Sequence, residues 1–219
     1  YNIDPLKVHL IKFGVETDIF NPSGTKWTNF PHEAYKGPII ISLRNLEPIY
    51  DHSTLIEAIP IVLSKFPDAK FLIAGSGTLR EAIQTEIACK KLENSVFLIG
   101  KYTIQNLPAM LRACDIYIST SLSDAGISSS TAEAMACGVP VIISNVAENH
   151  LWVEECKSGF LFPPGDHLTL AKAIGVCLSD DNLRTQIGMN GREKIFSDNN
   201  YDVEMQKMEG IYKSFGKQA

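Results

Sequence analysis

Residues 115–144 read DIYISTSLSDAGISSSTAEAMACGVPVIIS, and this stretch decides the fold. Asp115 to Ser119 is short, apolar and β-branched, and Val139 to Ile143 is a second run of the same kind; both suit strands buried on two faces of a parallel sheet. Between them, Ser128 to Thr131 offer several N-caps, Ala132 to Ala136 favour helix, and Gly138 stops it. The unit is strand, glycine-containing loop, helix, strand. Its helix N-terminus faces the carboxyl edge of the sheet, where unpaired N–H groups and the positive end of the dipole suit an anion such as a phosphate.

The rest of the chain repeats the pattern. Pro38 to Leu43, Lys70 to Ala74 and Val96 to Ile99 read as strands, alternating with helices over Ser53 to Phe66, from the Gly75-Ser76-Gly77 turn to about Lys90, and over Gln105 to Cys114. Pro60 should kink the first of these helices or remove one of its hydrogen bonds. The expected class is α/β, a doubly wound parallel sheet of Rossmann type, with ligands beyond the carboxyl ends of the strands near a topological switch point. Arg44, Gly75 to Gly77, Gly100 to Tyr102 and Ser119 to Gly126 all follow strands and converge on that edge. Further on, Glu148 to Glu155 reads as a short helix and Gly159 to Asp166 as a short strand and turn. His167 to Leu178, Asn182 to Phe196 and Val203 to Phe215 read as helices. The expected division is residues 1–36 as a junction, 37–200 as the sheet domain and 201–219 as a C-terminal helix.

Composition narrows the function classes. A chain of 219 residues with 45% hydrophobic content can bury one good α/β core. Its net charge of −5 gives no basic field for nucleic acid or for bulk anionic membrane, so a phosphate site must be local. The five cysteines form no CxxC pair and no zinc spacing, which points to reduced thiols and a cytoplasmic setting. None of His9, His32, His52, His150 and His167 is paired at metal spacing, so all five are read as structural or exposed and no metal site is expected. No run reaches the roughly 18 apolar residues of a membrane span. The chain starts at Tyr1 and is expected to be part of a longer polypeptide, a processed start being the alternative.

Glu133-Ala134-Met135-Ala136-Cys137-Gly138-Val139-Pro140-Val141-Ile142 closely resembles the EAMACGxPVI signature of the group 1 family of retaining glycosyltransferases with the GT-B fold. Ile11 to Pro22 resembles the P-N-G-V-D-x-x-x-F-x-P junction between the two halves of such enzymes. The resemblance implies a donor-binding domain for a nucleotide-diphosphate sugar, transfer with retention and no metal or other cofactor. It also implies a missing N-terminal domain carrying the site for an unidentified carbohydrate or lipid-linked acceptor. Peripheral membrane contact of the full enzyme is left open.

The resemblance also assigns residues. Arg44 matches the arginine of the "G-R-L" segment that binds the donor diphosphate, a role its fork geometry suits, against the alternative of a solvated surface arginine. Tyr50 stands where the family usually has a lysine; it either donates one hydrogen bond to a phosphate or only packs. Glu133 matches the second glutamate of the E-x7-E motif, which accepts hydrogen bonds from the ribose hydroxyls. Ala125 stands in the place of the first, leaving neighbouring Asp124 as the carboxylate that would take over near the anomeric centre. Gly126 and Ile127 would offer backbone N–H groups and Ser128 and Ser129 hydroxyls to the diphosphate. Gly75 matches a turn at the nucleotide edge, and Lys101 and Tyr102 follow the strand where the family seats the base. A rival from another class is a non-catalytic nucleotide- or partner-binding subunit that kept the fold. An NAD-dependent oxidoreductase is weaker, because no G-x-G-x-x-G follows the first strand.

Overall fold

The computed structural model describes residues 8–29, 37–124 and 126–216; His32 and Ala125 lie outside them. In chain order the elements are β1 (Ile39–Ser42), a 3-10 turn (Pro48–Tyr50), α1 (His52–Leu63), β2 (Lys70–Ala74), α2 (Arg80–Cys89), β3 (Val96–Gly100), α3 (Leu107–Ala113) and β4 (Ile116–Ser119). There follow α4 (Ser129–Ala136), β5 (Val141–Ser144), α5 (Asn149–Trp152), β6 (Phe160–Phe162), α6 (His167–Ser179), α7 (Asp181–Asp198) and α8 (Tyr201–Gly216). The strands form one six-stranded sheet in the order β3-β2-β1-β4-β5-β6, every pairing parallel. The chain leaves β1 toward β2 on one side and returns to β4 on the other. The switch point of this doubly wound sheet is therefore the gap between β1 and β4.

The two faces of the sheet follow from the alternation of side chains along each strand. Ile40, Phe71, Ile73, Ile116, Ile118 and Ile142 share one core with residues of α1, α2 and α6. Ile39, Ile41, Leu72, Tyr117, Val141 and Ile143 share the other with α3 and α4. Each fully buried aliphatic side chain is worth about 1.5–3 kcal/mol, and β1, β4 and β5 are buried along their whole length, so these three strands anchor the register of the loops that follow them.

Several boundaries differ from the sequence reading for local reasons. Helix α1 continues past Pro60, which lies on the exposed face and brings no backbone donor, in line with the second of the two expected effects. Helix α2 begins at Arg80 rather than at the glycine turn, because the Glu47 carboxylate holds Thr78 by its N–H at 3.0 Å and its hydroxyl at 2.6 Å. The N-terminal arm is docked rather than loose. Val15 donates to Asn199 at 2.7 Å and accepts from Tyr201 at 3.0 Å, and Val15 and Phe20 are buried in the second core. Arg112 donates to the carbonyls of Thr25 and Asn21 and so clamps the same arm to α3. Among the described residues, no helix is long and apolar enough to cross a membrane.

Candidate functional site

The site grows from the two loops at the switch point. Arg44 follows β1 and is only 9% exposed. Its Nε and Nη2 both donate to Ser121 Oγ, at 3.0 and 2.6 Å, and Nη2 also pairs with Asp124 Oδ1. The ring of Tyr50 covers the guanidinium with its centroid 4.7 Å from Cζ, a cation–π contact. Nη1 has no partner among the described residues, so two donors of the fork remain open. Arg44 is thus a buried, preset guanidinium and not a surface arginine, and Tyr50 helps to fix its plane.

The loop after β4 is laced to the turn after β1. Leu122 N–H donates to the Ile49 carbonyl at 2.8 Å and the Thr120 hydroxyl to the Tyr50 carbonyl at 2.7 Å. Beneath Arg44 runs a line of buried hydroxyls. Ser119 and Ser121 are hydrogen-bonded at 3.1 Å, Ser144 donates to the Ser121 carbonyl, and Asn149 donates to the Ser144 carbonyl at 2.9 Å. Ser121, in the Ser119 to Gly126 loop expected at this edge, holds the arginine directly, and Ser144 and Asn149 brace that loop from behind. For Ser144 the available signal was a serine at the last position of a buried strand, where an apolar residue is otherwise preferred.

Gly75 and Gly77 back this assembly from the β2 side. A Cβ on Gly75 would meet the Arg44 carbonyl oxygen at 2.5 Å, and one on Gly77 the Leu46 carbonyl oxygen at 2.2 Å. Close packing of the protein on itself therefore demands both glycines. Gly126 differs: its φ is +84°, which favours glycine, yet nothing lies within 4 Å of where its Cβ would stand. The turn opens onto free space at that position among the described residues.

At α4, Ser128 is the N-cap. Its hydroxyl accepts from the Thr131 N–H at 3.3 Å and shares a 2.7 Å hydrogen bond with the Thr131 hydroxyl. That commits Ser128 to the helix and leaves Ser129 exposed, and the N–H groups of Ser129 and Ser130 meet no acceptor among the described residues. The Ile127 side chain packs against the second core.

Glu133 lies one turn into α4, half-buried and without a hydrogen-bond partner among the described residues. Desolvation pushes its carboxyl up to about 7 from 4.5. It lines a cleft of about 270 Å³ together with Phe13, Gly14, Glu16, Phe20, Ile104 and Tyr201, so the docked arm forms the opposite wall. Tyr102, after β3, joins the two halves. Burial raises its phenol to about 12, and both Glu133 and Arg44 act on it electrostatically. Arg44 follows β1, Tyr102 follows β3 and Glu133 lies in the first turns of α4, so all three stand toward the carboxyl edge of the sheet. Lys101 is exposed. Of the histidines, His52 is buried and donates from Nε2 to the Asn45 carbonyl at 3.0 Å when that nitrogen carries the proton, which steadies the residue after Arg44; His9 and His150 are exposed.

A six-stranded parallel sheet flanked by helices, with its switch point between β1 and β4, is a Rossmann-like fold of the kind found in GT-B glycosyltransferases. The family model "Glycosyl transferases group 1" matches residues 25–194, and the chain belongs to that family. A curated relative, the UDP-Gal:alpha-D-GlcNAc-diphosphoundecaprenol alpha-1,3-galactosyltransferase of Escherichia coli, is 26% identical over 227 residues, covering 96% of this chain and 55% of the relative. Among solved structures, a glycosyltransferase from Rickettsia africae superposes with a TM-score of 0.85 at 23% identity, over 99% of this chain and 59% of that one. HepE of Anabaena, in complex with UDP and glucose, superposes with a TM-score of 0.80 at 21% identity, over 93% of this chain and 56% of that one. The chain spans about half the length of the curated relatives it matches.

Proposed function

We propose that this chain is the donor-binding part of a glycosyltransferase that moves a sugar from a nucleotide-diphosphate sugar to a carbohydrate or lipid-linked acceptor, with retention at the anomeric carbon. The carrying observation is the buried Arg44 fork, held by Ser121 and Tyr50 with its Nη1 donors open at the switch point. In this reading the diphosphate lies on Nη1 and on the N–H groups of Ser129 and Ser130. The Ser129 hydroxyl and the backbone of Gly126 and Ile127 stand alongside, and Gly75 supports the site from behind. The ribose hydroxyls donate to the unpaired Glu133 carboxylate, and the base lies toward Tyr102. When the bond between anomeric carbon and diphosphate oxygen breaks, negative charge collects on the leaving diphosphate. Arg44 and the α4 dipole stabilise it, with no metal or other cofactor required of the site. The acceptor site is assigned to a further N-terminal domain, and the work to the cytoplasmic side of any membrane involved. That HepE and the Escherichia coli relative are named with UDP or a UDP-sugar supports the donor class.

Calorimetry with UDP, GDP and ADP on the wild-type chain and on Arg44→Ala tests the reading. Loss of a charge-assisted contact should weaken the preferred nucleotide roughly 10- to 100-fold; equal affinity in the two proteins removes Arg44 from the site.

A second reading, a non-catalytic nucleotide-binding subunit, is favoured by one observation: the Asp124 carboxylate is engaged by Arg44 instead of standing free. A transfer assay on the longer polypeptide with a panel of sugar nucleotides separates the two, since a binding subunit turns over none of them.

A further inference from the structure

Arg44 and Asp124 form an ion pair whose side chains are 9% and 10% exposed, and the pairing is one-sided. Only Oδ1 of the carboxylate meets the guanidinium; Oδ2 has no partner among the described residues. Ser121, by contrast, grips Arg44 through two nitrogens and is itself held by Ser119 and Ser144. The serine is thus the fixed cradle and the aspartate a replaceable partner. Asp124 also sits two residues before Gly126, which has φ +84° and, among the described residues, nothing within 4 Å of where a Cβ would stand.

We infer that Asp124 is a resident counter-anion: it occupies the arginine while the cleft is empty and competes with the phosphates of an incoming ligand for it. This rests on the reading of Arg44 as the diphosphate anchor. A buried guanidinium without a partner would carry a heavy desolvation cost, and one carboxylate oxygen offsets it. A doubly charged diphosphate, reaching the open Nη1 donors as well, displaces that single contact, whereas a singly charged carboxylate or sulfate ester gains less. Asp124 therefore lowers the affinity for every phosphate ligand and at the same time favours those with two adjacent phosphates.

The test is calorimetric titration of inorganic pyrophosphate and of UDP into the wild-type chain, Asp124→Asn, Arg44→Ala and the double variant. Asparagine keeps an oxygen for Arg44 and removes the charge. The expected result is binding roughly tenfold tighter in Asp124→Asn for both ligands, and no such gain in the Arg44→Ala background. Weakened or unchanged binding in Asp124→Asn, with Arg44→Ala impaired, overturns the counter-anion role and leaves the anchor reading intact. An equal gain with and without Arg44 overturns it too, because the effect is then general charge and not competition for the arginine. If Arg44→Ala binds like wild type, the anchor reading itself fails. Thermal melts confirm folding of each variant, and Asp124→Ala replaces the asparagine variant if that one is unfolded.

Discussion

Replacing Glu133 by glutamine should make the protein more stable at alkaline pH and worse at holding a nucleotide. The carboxyl is raised by burial from 4.5 to about 7 and, among the described residues, has no partner to compensate the charge. Between those two values the folded chain keeps a proton that the unfolded chain has already released. The contribution is therefore full below pH 4.5 and is lost as pH rises through about 7. At pH 8 the ionised, desolvated group costs the wild type about 3 kcal/mol, at about 1.4 kcal/mol per pKa unit. Glutamine cannot ionise, so Glu133→Gln should melt several degrees higher at pH 8, by roughly 2–4 °C for each kcal/mol in a chain of this size. The gain should shrink to a small fraction at pH 4.5. Calorimetric or fluorescence melts of both proteins across pH 4.5–8.5 measure it directly. A Tm difference that does not change with pH, or no gain at pH 8, refutes the picture of an unpaired acid held at a cost. The same variant should lose affinity for a nucleoside diphosphate, because an amide presents one acceptor where the carboxylate presents two.

Other outcomes follow from the neighbours of Arg44. Ser121→Ala leaves Nε and half of Nη2 without an acceptor in a buried setting and should cost about 1–3 kcal/mol in urea denaturation, with a parallel loss of nucleotide affinity. Gly75→Ala drives a methyl into the Arg44 carbonyl, 2.5 Å from the Cβ position, at a backbone φ of +151°; it should destabilise by about 2 kcal/mol or more and weaken pyrophosphate binding measured by calorimetry. Gly126→Ala meets no neighbour but takes up φ +84°, so about 1 kcal/mol should be lost in the melt while the loop bearing Asp124 stiffens.

The sheet was legible because its strands are buried on both faces and read as unbroken β-branched runs. Ile116 to Ser119 and Val141 to Ser144 lie within a residue or two of where their composition puts them. Helix α4 was legible from its serine cap and its alanine-rich body, and Gly138 ends it with φ +73°. Helix α7 is seated by Ile187 and Ile195, buried in the two cores, and by a close backbone approach at Gly188, where a Cβ would meet the Gly138 carbonyl oxygen at 2.0 Å. Pairings between distant loops were not legible. Nothing local in Tyr50 says that its ring covers Arg44, and nothing in Asp124 says that it reaches back 80 residues to the same side chain. The docked arm was equally hidden, because Val15 and Phe20 become core only once Asn199 and Tyr201 arrive from the far end of the chain. Burial likewise decides the acidity of Glu133, and a single sequence does not display it.

The most direct measurement is a crystal structure of the chain grown with a nucleoside diphosphate. Phosphate oxygens are expected on Arg44 Nη1 and on the N–H groups of Ser129 and Ser130, with Asp124 turned away from the guanidinium and the pentose hydroxyls on Glu133. A nucleotide bound elsewhere, with Arg44 still paired to Asp124 and the Glu133 cleft vacant, contradicts it.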